Sequence, residues 1–203
     1  MARAGVRAVV TEDRLFDPGS SVPGAVWGLD VSTRRVALAV QAEAGGGVSV
    51  GLLELAKGEP HVRLKLALEA LVPWLTAHPR PSLVGVEQPF ASSMSKVHPQ
   101  SFYMVGIVLA AVGLVAPAEC VVEMLPPGTW KARSVGHGRA SKPAILSWAR
   151  RVHGLPRGCS SCGDGLEPAE GEKCPRQSAA HDEADAIGVC VAVREVAASR
   201  MVA

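Results

Sequence analysis

The sequence predicts an α/β domain, a mixed five-stranded sheet flanked by helices, and three observations carry that expectation. Short branched, apolar runs bounded by Gly or Pro read as strands. Longer runs repeat their apolar residues at helical spacing. After an opening cluster of three strands the two kinds alternate, as in a sheet whose antiparallel start joins parallel crossovers. With 203 residues, 48% of them hydrophobic, and a net charge of +2, the chain can bury the core of one domain and is too apolar for disorder.

Residues 1–24 are mixed in character and close with "DPGSSVPG", which reads as a flexible N-terminal arm before a domain over 25–203. "AVWGLDV" and "RRVALAVQ" read as neighbouring strands, and "GGGVSVGLLEL" as a Gly turn with a third strand. Pro60 opens a helix in which Leu64, Ala67, Leu68, Leu71 and Leu75 recur on one face, with a bend expected at Pro73. "PSLVGVEQP" is a strand with a hard stop, residues 98–115 a long apolar helix, and "ECVVEML" another strand. Helices are expected near 141–152 and 182–199, the last with Asp182, Glu183 and Asp185 crowding its first turn. Cys120 and Cys190, in apolar runs, read as core thiols. This order matches the ribonuclease-H-like architecture, which serves nucleases, transposases and the sugar-kinase/actin group, so fold alone does not settle function.

The charge pattern narrows the choice. Between Glu123 and Asp164 there is no acid, while Lys131, Arg133, Arg139, Lys142, Arg150, Arg151 and Arg157 all fall there. Such a one-sign segment suits a polyanion-facing surface or a merely solvated basic face. The apolar run at 105–116 is too short for a bilayer, which takes about 18–20 residues, and no secretory signal precedes the domain. A cytoplasmic protein without a membrane partner is expected, in a bacterial cell or a virus-infected host.

Acids stand where strands ought to be greasy. Asp30 ends one apolar strand and Glu87 another, and Asp182 and Asp185 share a helix face at a spacing of three. Taken alone, each is a turn residue or a dipole-friendly acid. Together, at the ends of sheet strands, they predict a shared site whose mutual repulsion divalent cations would relieve. Hard oxygen ligands favour Mg²⁺ or Mn²⁺, and a pair of such ions about 3.5–4 Å apart suits in-line phosphoryl displacement.

On these residues the sequence resembles the RuvC-type Holliday-junction resolvases over roughly residues 25–199. "GLDVSTRRVALAV" is similar to the family's first strand, with Val31-Ser32 where Pro-Gly is usual, and "VEQPF" to its Glu-x-x-aromatic segment. "KARSVGHGRASK" resembles a basic, glycine-punctuated stretch whose two lysines stand eleven apart, and "HDEADA" the terminal acid pair. The resemblance implies Asp30, Glu87, Asp182 and Asp185 as ligands of two Mg²⁺ or Mn²⁺ ions, with Lys142 neutralising charge at the scissile group. Phe90 would stack on junction bases or pack in the core, and Lys131, Arg133 and Arg139 would grip DNA phosphates. Gly136 and Gly138 would let the backbone approach phosphate. It also implies a homodimer acting on branched DNA, for which the helix at 98–115 serves as a dimer face or as monomer core. Gln88 and His181 could support the site or lie on the surface.

An insertion at about 154–178 departs from the family pattern. Cys159-x-x-Cys162 has knuckle spacing, so Cys159, Cys162 and Cys174, with His153 or His181, could hold a structural Zn²⁺. A loop of free thiols and a redox pair are the alternatives. For the whole chain, the first reading is a structure-selective endonuclease resolving four-way junctions. The competitors are a broader branched-DNA or flap nuclease, a non-catalytic junction binder, and a phosphotransferase of the sugar-kinase/actin type, which would need a second lobe.

Overall fold

A strand with apolar side chains on both faces must be covered on both, and the central strands of this sheet are. The computed structural model describes residues 8–9, 24–42, 46–55, 59–89, 99–155 and 177–201. In chain order the elements are β1 (Ala8–Val9), β2 (Ala25–Val31), β3 (Arg35–Gln41), β4 (Val48–Glu54), α1 (Pro60–Thr76), β5 (Pro81–Glu87), α2 (Pro99–Val115), β6 (Val121–Leu125), α3 (Pro127–Ser134), α4 (Lys142–His153) and α5 (Gln177–Met201).

The five expected strands form the sheet in the order β4-β3-β2-β5-β6, and β1 adds a two-residue rung to the free edge of β4. That rung comes from the segment expected to be only a loose arm. β2, β3 and β4 are antiparallel neighbours, whereas β2, β5 and β6 run parallel. One sheet face carries Trp27, Leu29, Val84 and Val86 into a core closed by α1 and α2. The other carries Ala37, Ala39 and Leu83 into a core built around α5, with α3 and α4 outside it.

α5 meets the sheet at glycines. Gly28 and Gly85 are register partners on β2 and β5. A Cβ at Gly28 would overlap the Ala186 carbonyl and the Cys190 backbone nitrogen, and one at Gly85 would come within 2.9 Å of Val193. The absence of side chains at this pair therefore sets how closely the helix approaches.

Besides β1, two elements differ from the sequence expectation. α3 was not expected: Trp130 is its only buried residue, so its eight residues carry no apolar period, and Pro127-Gly128 reads as a turn. α5 begins at Gln177 rather than near residue 182, because Ala179 and Ala180 are strong helix formers and nothing breaks the helix before His181. Its first turn contains no acid, so Asp182 and Asp185 lie in the second and third turns. The helix dipole, which acts within the first turn, does not explain them. Cys190 is buried as expected, while Cys120 is only partly so. α2 buries Met104, Val105, Val108, Ala111 and Val112 and leaves Phe102, Tyr103 and Leu114 exposed, so it serves the core with one face only. No helix among the described residues is long and apolar enough to cross a membrane.

Candidate metal centre

The strand register assembles the site. Leu29 pairs with Val86, so the next residues, Asp30 and Glu87, stand side by side where the two parallel strands end. Strand alternation puts both on the glycine face, two residues beyond Gly28 and Gly85. The same glycines seat Ala186, Val189 and Cys190 of α5 against the sheet. Asp185 is thereby brought over the two strand-end acids.

One ligand oxygen from each of Asp30, Glu87 and Asp185 lies within 4.8 Å of the others. All three remain partly accessible, which leaves an entrance for an ion. Crowding shows in their acidity. Burial, then the neighbouring Glu87, Asp185 and Asp182 charges, hold Asp30 well above the carboxylate range. Burial and Glu87 push Asp185 up to about 7, against the opposing pull of Lys142 and Lys131. Burial raises Glu87 as well, countered by hydrogen bonding with Asp30 and Trp130 and by the two lysines. Three hard, recessed oxygens resisting ionisation in each other's presence form a donor set that fits a divalent cation such as Mg²⁺ or Mn²⁺.

Asp182, expected as a fourth member, is not in this group. Its Oδ2 lies 2.7 Å from Nε of Arg35, a residue the sequence reading had not singled out. The displacement is geometric: Asp182 sits about one turn before Asp185, where α5 has passed the end of β2 and reaches the start of β3. Burial raises its carboxyl, and Arg35 and Lys142 lower it.

Both expected lysines face the acids. Lys131 follows Trp130 on α3, with its Nζ 5.3 Å from the centre of that indole ring. Trp130 is fully buried in a notch over Gly188, where a Cβ would overlap the ring. Its N–H is directed at Glu87 and favours the ionised carboxyl. Lys142 opens α4, whose N-cap Ser141 accepts a hydrogen bond from the Ala144 backbone N–H. Arg133 and Arg139 are exposed on the α3 end and the following loop.

Neither glycine of this segment is first explained by ligand approach. Gly136, at φ 87°, ends α3, and Gly138 is packed so that a Cβ would stand 2.9 Å from the Gly128 carbonyl. The turn after Asp30, without Pro-Gly, is closed by Ser32, whose hydroxyl accepts from the Arg34 and Arg35 N–H groups. Phe90 and Cys159, Cys162 and Cys174 lie outside the described residues. His153 and His181 are both described, and burial leads in lowering the pKa of each.

Arg35 and Trp130 carried no pattern in the sequence. The glycine seat did: Gly28-Leu29-Asp30 and Gly85-Val86-Glu87 repeat one spacing on two strands.

The sheet order, the helices on both faces and the acids at the ends of β2 and β5 define a ribonuclease-H-like fold of the RuvC kind. No known family profile and no curated protein matches the sequence. Among solved structures, the chain is similar to Thermus thermophilus RuvC, at 21% identity and a TM-score of 0.58, over 87% of this chain and 96% of that one. It is also similar to T. thermophilus RuvC in complex with Holliday junction substrate, at 24% identity and 0.56, over 88% and 96%. The yeast mitochondrial Holliday junction resolvase matches at 12% identity and 0.50, over 82% and 76%.

Proposed function

We propose that this protein is a divalent-cation-dependent endonuclease that resolves four-way DNA junctions. The observation that carries the reading is the convergence of Asp30, Glu87 and Asp185 at the ends of two parallel strands, with Lys131 and Lys142 beside them. A junction binder without catalysis gains nothing from three carboxylates beside DNA phosphates. The fold neighbours support the substrate class, since one of them is bound to a Holliday junction.

Asp30, Glu87 and Asp185 would hold Mg²⁺ or Mn²⁺; when bound, such ions activate water and stabilise the departing oxygen. The protein's own groups do the rest. The cluster is recessed enough that burial is the first cause raising each of its three carboxyls, so charge interactions there are less screened than in bulk water. Lys142 approaches the acids from the start of α4 and faces the position of a scissile phosphate, while Lys131, Arg133 and Arg139 supply sequence-independent phosphate contacts. A two-fold dimer suits a four-way junction. The outward face of α2, a helix with no charged residue, offers Phe102, Tyr103 and Leu114 as a dimer surface.

The test is incubation with a synthetic four-way junction and a matched linear duplex, with and without Mg²⁺. Nicks confined to the junction, dependent on the ion and ending in 5′-phosphate are expected. Binding without nicking under either Mg²⁺ or Mn²⁺ would leave the binder reading standing instead, and equal cutting of flaps would broaden the substrate class.

A further inference from the structure

Arg35 is the first residue of β3, and it stands on the face that α5 covers, since Ala37 two residues later pairs with Asp30 and belongs to the core around α5. Its ion pair with Asp182 is enclosed, with side chains 20% and 11% exposed. Asp182 nevertheless remains near enough to act electrostatically on both Asp30 and Asp185. A guanidinium therefore flanks the acid cluster and compensates the one expected ligand that is missing from it. Removing it would leave a recessed carboxylate without its main partner.

We propose that Arg35 is a built-in placeholder cation. It holds Asp182 back, so that one cation position is preformed by Asp30, Glu87 and Asp185, and a second forms only when Asp182 exchanges Arg35 for a metal ion. The inference rests on the nuclease reading and deepens it. A DNA phosphate is the natural alternative partner for the released guanidinium, which can bind it through two parallel hydrogen bonds. Loading of the second ion is thereby tied to arrival of the substrate, and the free protein is spared a fully charged site.

Mn²⁺ binding to the full chain without DNA, followed through the free-ion EPR signal and by calorimetry, tests this independently of cleavage. Wild type should show one tight step, and Arg35→Gln should tighten a second step by about 10- to 100-fold, the range in which partners of metal ligands act. Arg35→Lys, which keeps a cation, should resemble wild type, and Asp182→Asn in the Arg35→Gln background should abolish the gain. Two equally tight steps in wild type, or an Arg35→Gln isotherm that matches it, would overturn the proposal. Asp182→Asn alone covers the case in which Arg35→Gln does not fold. It must leave the first step unchanged, and a loss there would make Asp182 one of the preformed ligands. Absence of any tight step in wild type, with Asp30→Asn no different, would instead remove the nuclease reading on which the proposal stands.

Discussion

Lys142 begins α4, where the unpaired N–H groups of the first turn already carry positive potential. A cation there is disfavoured by the helix dipole. The carboxylates of Glu87, Asp182 and Asp185 compensate it, each feeling its charge. Lysines at the site thus divide into one, exposed Lys142, placed against local preference by the acids and one, half-buried Lys131, held beside the Trp130 ring. Their loss should read differently from loss of an acid. Asp185→Asn should bind a four-way junction as wild type does and lose Mg²⁺-dependent cleavage by about 100-fold or more, as when one preorganised charge-stabilising group is removed. Retained cleavage would take Asp185 out of the mechanism. Lys131→Ala should weaken binding and lower the slope of log affinity against log salt by about 1, as expected for one phosphate contact. An unchanged slope in a salt titration would show that Lys131 does not touch DNA.

At the scale of elements, the site exists because α5 lies close to β2 and β5. Gly28→Ala would force a methyl group against the helix backbone rather than against a flexible side chain, so the helix must move. A loss of about 1–3 kcal/mol is expected in denaturant unfolding. The same displacement carries Asp185 away from Asp30 and Glu87, so tight Mn²⁺ binding should weaken in the variant that remains folded. A stable variant with intact Mn²⁺ affinity would show that the glycine seat is not what positions the acid. This is also where the limits of the sequence lie. The strands were legible as short branched apolar runs between Gly and Pro, α1 by its helical spacing and α2 as one long apolar run, and Asp30 and Glu87 because a carboxylate ending a greasy strand is costly without a partner. α3 was invisible because one buried Trp130 makes no period. Asp182 and Asp185 look equivalent at a spacing of three, and only where each falls along α5, about one turn apart, separates a carboxylate over the cluster from one beside Arg35. That placement is a property of packing across the chain, carried by glycines whose spacing is visible but whose partners are not.

For the whole molecule, the consequence is a fold that stores unfavourable charge. Asp30, Glu87, Asp182 and Asp185 are all raised, mainly by burial, and Asp185 reaches about 7. A carboxyl raised in the folded state contributes stability that is present below its unfolded value and lost as pH rises through the folded one. From about pH 4 to about pH 7 these carboxyls keep protons on the folded chain that the unfolded chain has released, so their contribution to stability falls with rising pH across that window and outweighs the opposite contribution of His153 and His181, whose values burial lowers. The metal-free protein should therefore melt higher near pH 5.5 than at pH 8, with each 1 kcal/mol of difference worth about 2–4 °C for a chain of this size. A divalent cation binds the ionised form, so saturating Mg²⁺ or Mn²⁺ should raise the melting temperature at pH 8 far more than at pH 5.5 and flatten or invert the profile. Asp185→Asn removes the group that titrates near neutrality and should flatten the metal-free profile on its own. Calorimetric scans of both proteins in the presence of a chelator and of Mn²⁺ check the argument. A metal-free wild type that gains stability on going from pH 5.5 to pH 8 would show that the three carboxylates are not crowded together in solution.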